Sequence, residues 1–321
     1  NNIKKLSSGY SRVDIICDRY FNNSLKNLTR NGRGHGPKLL FNDDTPLPSK
    51  FNDSFLKNND NKERLNLYCA DKFQSYEEDA QSFNVTKGES VLSNSTLDES
   101  ISINTAEEAD QKLVRHMTEC VRSGVKQCVV RTVDTDVVIS LIAYRRLAEN
   151  FNCVVFACLS SAVSNRFYNI NKIAEELGER KCRALPFFYA LTGCDVVSSF
   201  FNQGKCKFWD RWTESQEEEA LTTVFMELSE KPNAVTVEQI SVIERFIGFV
   251  YYGRCINSVD SERMRDFEYS LHGNLRLIPP SRSGLKEHIK RAAYYAGWVN
   301  FQCVENVCLP SPFEWGWRFS N

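Results

Sequence analysis

Six carboxylates fall in three short clusters: Glu107, Glu108 and Asp110 in EEAD, Asp134 and Asp136 in VDTDV, and Asp195 in ALTGCD. Each cluster sits where an apolar segment meets a turn or a helix start. A further acid, Asp18, closes the apolar run VDIIC. Carboxylates brought together repel one another unless positive charge stands between them. A hard divalent cation that prefers oxygen ligands, Mg²⁺ or Mn²⁺, meets that need. The chemistry such a set supports is two-metal phosphodiester hydrolysis, in which two ions about 3.5–4 Å apart activate water and stabilise the leaving oxygen.

Basic residues point to the same substrate class. Lys26 and Arg30 are four apart and share a face if helical, with Arg33 just beyond. They suit contact with a scissile phosphate and a strand backbone. Gly204, with Lys205 and Lys207 in FFNQGKCKFW, offers a backbone turn that suits a phosphate. Each feature also has a plainer reading. EEAD and DTD serve as helix caps, the basic face as a solvated surface, and Gly-Lys as an ordinary turn. Recurrence at successive strand edges favours the chemical reading. The histidines His35, His116, His272 and His288 show no metal spacing, and His116 reads as a half-buried packing residue. Cys194 reads as core. The tryptophans suit either base stacking or the seam between packed elements.

The elements that must position these residues follow from periodicity. VDIIC, VKQCVVRTV (125–133), CVVFACL (153–159) and RFYNI (166–170) read as strands. Thr105 and Glu108 fit a capping box before a helix with Leu113, Met117, Cys120 and Val121 on one stripe. Helices are predicted over 136–150 and 171–185. Alternating strands and helices imply an α/β fold with a mostly parallel sheet flanked by helices. Sites in such sheets lie at the carboxyl ends of the strands, where Asp18 and the DTD pair stand. Residues 38–104, rich in Asn, Asp and Ser, read as a loop-rich insertion with one short helix near 61–73. From 210 onward the texture is mainly helical. It includes an acidic helix, a second capping box at Thr236 and Gln239, and a helix over 283–298. The domain organisation is therefore 1–209 followed by a helical region, 210–321.

Composition sets the limits. With 321 residues, 42% of them hydrophobic, the chain can bury a real core. A net charge of −1 means that nucleic acid would be held by a local basic patch. No run of about 18 apolar residues predicts a membrane span. Twelve cysteines without a CxxC pair argue against a zinc ribbon and for a reducing, intracellular setting. The chain begins at Asn1 rather than Met, which is compatible with a fragment.

The ordered set ICDRY…K…R, EEAD, VDTDV and LTGCD resembles the PIN-like domain of the flap-endonuclease and 5′-nuclease superfamily. In that family a strand ends in an Asp and a basic helix follows, matching Asp18, Lys26 and Arg30. The family's helix-borne acid pair matches Glu108 and Asp110, its Asp-x-Asp matches Asp134 and Asp136, and its Gly-x-Asp matches Asp195. The Gly204–Lys205 turn resembles a shortened helix–turn–helix that grips duplex backbone. More closely, EEAD…DTDVV…ALTGCD…GK…W, HIKRAAYYAGW and WGW resemble a group of invertebrate proteins linked to mobile elements.

The resemblance implies a PIN-like fold and a structure-specific nuclease. It implies Mg²⁺ or Mn²⁺, as two ions, on Asp18, Glu108, Asp110, Asp134, Asp136 and Asp195. Lys26 and Arg30 would be catalytic, and Arg33, Gly204, Lys205 and Lys207 would bind nucleic acid, DNA before RNA, in the nucleus. The family's first metal-binding Asp, upstream of the match to Asp18, has no counterpart in residues 1–10, which hold no acid. That departure sustains an alternative: a PIN-like module that binds nucleic acid or a protein without cleaving.

Overall fold

A computed structural model describes residues 6–20, 37–39, 55, 58–74, 81–103, 105–145, 153–160, 164–269 and 275–318. The chain forms two compact units, Asn1–Cys128 and Val129–Asn321. The division falls within a strand at 127–132, whereas the change of texture in the sequence lies at 209/210.

The first unit is built on a three-stranded sheet in the order β1 (Arg12–Ile15), β2 (Ser82–Lys87), β3 (Ser90–Ser93). β1 and β2 run parallel, which the long intervening segment with helix α1 (Asn59–Gln74) permits. β2 and β3 are antiparallel, joined through Gly88 at φ 60°. The composition of 38–104 predicts loops around one helix. That helix is present, but 82–93 forms a hairpin, and Phe83 and Val85 lie in the core with Ala70. Val13, Ile15, Phe73 and Leu92 pack around them. The short helix α2 (Glu99–Ser102) leads to α3 (Ala109–Arg122).

Helix α3 buries Val114, Met117 and Val121, and also Lys112, His116 and Glu119. Buried polar groups require partners. Asp14 of β1 supplies one. It accepts from His116 Nδ1 at 2.7 Å, Arg12 Nε at 2.8 Å and Asn84 Nδ2 at 2.7 Å. Arg12 also pairs with Glu119. His116 is therefore buried and hydrogen-bonded rather than half-buried packing. Burial alone would push the Asp14 carboxyl up. The bonds from His116 and Arg12 outweigh it and hold the group well below the usual carboxylate range.

The second unit holds the sheet β4 (Gln127–Thr132), β5 (Val154–Ser160), β6 (Asn165–Asn169), in that order. β5 and β6 pair antiparallel. The mostly parallel expectation fails because the four residues between them are too few for a crossover. Both sheets are small and helices dominate. α4 (Thr135–Tyr144) follows β4. The single helix predicted over 171–185 is two, α5 (Ile170–Leu177) and α6 (Glu179–Leu191), parted by Gly178 at φ 77°. That conformation suits glycine alone.

α6 is the hub, packing against α4, α5, α8 (Glu218–Ser229) and α11 (Arg282–Ala293). Around it lie α7 (Lys205–Glu214), α9 (Val237–Tyr252) and α10 (Val259–Tyr269). Pro186 removes an N–H within α6, and the next N–H, of Phe187, turns to Ser229 Oγ at 2.9 Å. An aromatic cluster of Phe187, Phe188, Trp212, Phe225 and Phe246 fills the space between helices. The capping box at Thr236 and Gln239 forms as the sequence predicts. The helix predicted over 283–298 widens into a π turn at Tyr294–Val299, where Gly297 faces Pro232.

The Asp14 network yields a prediction. A depressed carboxylate contributes stability that is fully present above its ordinary value of about 4 and is lost as pH falls below it. Asp14→Asn should cost about 3 kcal/mol in urea denaturation at pH 7 by removing the carboxylate that accepts from Arg12 and His116 and leaving Arg12 with Glu119 alone. The gap from wild type should narrow below pH 4.

Candidate functional site

In the first unit the end of β1 is joined to the start of α3. Asp18 Oδ1 accepts the backbone N–H of Ala109 at 2.8 Å, and Arg19 N–H donates to Glu107 O at 2.7 Å. Lys112 Nζ, fully buried, donates to Cys17 O at 3.0 Å. Cys17 N–H in turn reaches Thr86 Oγ1 at 2.8 Å, linking the strand end to β2. The capping box of Thr105 and Glu108 does not form. The helix begins at Ala109, Glu108 is its N-cap but its side chain makes no capping bond, and the distant Asp18 takes the N–H of Ala109 instead. Glu108 is buried and Asp110 stands in the first turn. Asp18, Glu108 and Asp110 therefore meet at one helix N-terminus, where the backbone dipole favours negative charge.

Two residues of this region escaped the sequence reading. Burial pushes the Lys112 ammonium down to about 8, with Arg19 acting the same way and Asp18 opposing. Glu63 of α1 lines a cleft with Asp18, Arg19, Asn66, Thr86 and Gly88. Nothing in local periodicity marks either residue, because both are brought in by tertiary contacts. Burial raises the Cys17 thiol to about 11, so it is no thiolate. Lys26, Arg30 and Arg33 lie outside the described residues, as does His35.

In the second unit the DTD pair sits on a helix start rather than on an extended strand end. Asp134 is the N-cap of α4, and its Oδ1 accepts the N–H of Asp136 at 3.1 Å. Asp136 is in the first turn, and its Oδ1 accepts the phenol of Tyr189 from α6. Burial and then that bond push the Tyr189 phenol above its ordinary range, so it remains a donor.

Lys205 occupies the first turn of α7, after Gly204 as N-cap. Its Nζ donates to Tyr189 O and Thr192 Oγ1, each at 3.0 Å, and to Gly193 O. This half-buried ammonium caps the C-terminus of α6, and burial lowers its pKa. Lys207, nearer the surface, bonds Gln203 Oε1 at 2.7 Å.

Asp195 follows Gly193, whose φ of 107° and contact with Ser199 admit no side chain. Cys194 N–H closes the turn on Val197 O at 2.9 Å. Burial raises the Cys194 thiol, in keeping with a core role. His288 braces the same turn. Its Nε2–H donates to Leu191 O at 2.8 Å and its Nδ1 meets Ser198 Oγ at 3.2 Å. Burial lowers it to about 4, so it is neutral at pH 7.

Five of the six acids proposed as ligands thus lie on two helix starts. Asp18, Glu108 and Asp110 gather on one helix start, while Asp134 and Asp136 gather on another, with Tyr189 as partner. The donors are carboxylate oxygens, the chemistry a hard cation takes. Among the described residues of either unit, no group of three or more His, Cys, Asp or Glu is gathered tightly enough to hold an ion. Among the described residues no helix is long and apolar enough to cross a membrane. None of the twelve cysteines is joined in a disulfide. Trp212 and Trp315 are buried and Trp298 Nε1 donates to Pro232 O, so these three fill seams.

Comparison with protein-family models, curated proteins and solved structures finds no match to this chain.

The joint at Asp18 separates capping from charge. Asp18→Ala should lower stability by about 1 kcal/mol through loss of the cap. Asp18→Asn keeps an acceptor oxygen and should lose less than half of that. Urea denaturation of both variants measures the difference.

Proposed function

We propose that this chain is a divalent-metal-dependent nuclease on a PIN-like, 5′-nuclease-type domain, acting on DNA in the nucleus. One observation carries the reading: the strand-end carboxylate of Asp18 is bonded into the helix start that bears Glu108 and Asp110. A cap alone needs a single acceptor, and this helix start has two further acids. The second acid-bearing helix start, at Asp134 and Asp136, adds support.

Asp18, Glu108, Asp110, Asp134, Asp136 and Asp195 would hold Mg²⁺ or Mn²⁺. The ions would supply Lewis acidity, activation of water and neutralisation of phosphate charge. The chain's own residues do the rest. Asp134 presets the α4 N-terminus by holding Asp136 N–H. Gly193 and His288 fix the turn that leads into Asp195. Lys26, Arg30 and Arg33, with Lys207, would contact the nucleic-acid backbone, which makes binding salt-dependent.

A second reading, a module that binds nucleic acid without turnover, draws on Asp14. This acid, which β1 itself carries, is spent on Arg12 and His116. It is not available as a substitute for the family's upstream acid.

The two readings separate in a cleavage assay on 5′-flap and single-stranded DNA with Mg²⁺ or Mn²⁺. Wild type should cleave, and Asp134→Ala with Asp136→Ala should abolish cleavage while leaving DNA binding within about threefold. Binding without turnover by wild type supports the second reading, and equal cleavage by both proteins refutes the first.

A further inference from the structure

We infer that Tyr189 is a positioning residue for the Asp136 carboxylate, and that Lys205 is the clamp that fixes Tyr189 and the approach to Asp195. The inference rests on the metal reading of Asp136 given above. Three observations support it, all within the second unit.

First, the Tyr189 phenol donates to Asp136 Oδ1, across 53 residues of sequence. A carboxylate accepts at both of its oxygens, so this bond does not exclude a cation. It removes rotational freedom from a short side chain at a helix start. Ligating carboxylates are commonly held in this way by a hydrogen bond from outside the ligand set.

Second, Tyr189 is itself immobilised. Lys205 Nζ lies 3.8 Å from its ring centroid and donates to its carbonyl oxygen at 3.0 Å. An ammonium over the ring face is attracted by the ring quadrupole.

Third, the same ammonium holds the next acid-bearing segment. It donates to Thr192 Oγ1 at 3.0 Å and to Gly193 O. Three donors meet three protein acceptors, which fully engages the ammonium. Lys205 is thereby assigned to the fold of the site rather than to a phosphate. Gly193 lies two residues before Asp195, so one ammonium holds the segments that carry two proposed ligands.

A half-buried phenol that merely satisfies its own hydrogen bond would look similar, so the test must reach the metal. Calorimetric titration of the full chain with Mn²⁺ compares wild type, Tyr189→Phe, Asp136→Asn and the double variant. Tyr189→Phe keeps the ring and should keep the melting temperature. It should weaken Mn²⁺ about tenfold. In the Asp136→Asn background it should weaken Mn²⁺ no further, because the two residues act as one unit. Mn²⁺ affinity unchanged by Tyr189→Phe, or an equal loss in both backgrounds, overturns the positioning role alone. A wild-type chain that binds no Mn²⁺ overturns the metal reading itself, and this inference with it.

Discussion

The bond from the backbone of Ala109 to the carboxylate of Asp18 is the constraint on which the first unit turns. It spans 91 positions and joins a strand end to a helix start. Taken alone it is one cap, worth about 1 kcal/mol. It does not act alone. Arg19 N–H to Glu107 O and the buried Lys112 to Cys17 O fix the same two segments. Deeper in the unit, Arg12, Asp14, His116 and Glu119 tie β1 to the middle of α3. A slip of one residue would turn Val13 and Ile15 away from the core and take Asp14 away from His116.

The second unit repeats the device with different parts. Asp134 caps its own helix, and Asp136 takes the phenol of a residue from the hub helix α6. Capping and metal binding are often set against each other as explanations for acids at helix starts. Here they are compatible, since a carboxylate has more acceptor sites than one N–H uses. The dipole stabilises each charge by about 0.3–1 kcal/mol, which lowers the cost of gathering acids without neutralising their mutual repulsion. That residual repulsion is what a cation would relieve.

Much of the framework was legible in the residues. The strands at 12–15, 127–132 and 154–160 follow apolar runs, and the Thr236 capping box follows its spacing. Other features were not legible. The hairpin at 82–93 alternates Phe83 and Val85 with Asn84 and Thr86, but its polar composition resembles loop. The split at Gly178 hides in a continuous amphipathic pattern. Thr105 and Glu108 satisfy a capping motif that loses to a remote acceptor. Lys112 and Glu63 in the first unit, and Tyr189 and His288 in the second, reach the acid-bearing segments of their own unit only through long-range packing, which no local spacing encodes. The acids themselves were readable by type and order, and their partners were not.

The central claim is that these carboxylates bind hard divalent cations. Crystals of the full chain soaked in Mn²⁺ and measured at the manganese absorption edge test it most directly. Anomalous density is expected against the carboxylate oxygens of Asp18 and of Asp134 and Asp136, lost on soaking with EDTA. Anomalous density confined to other residues, or none at Mn²⁺ concentrations that saturate ordinary carboxylate sites, would contradict it.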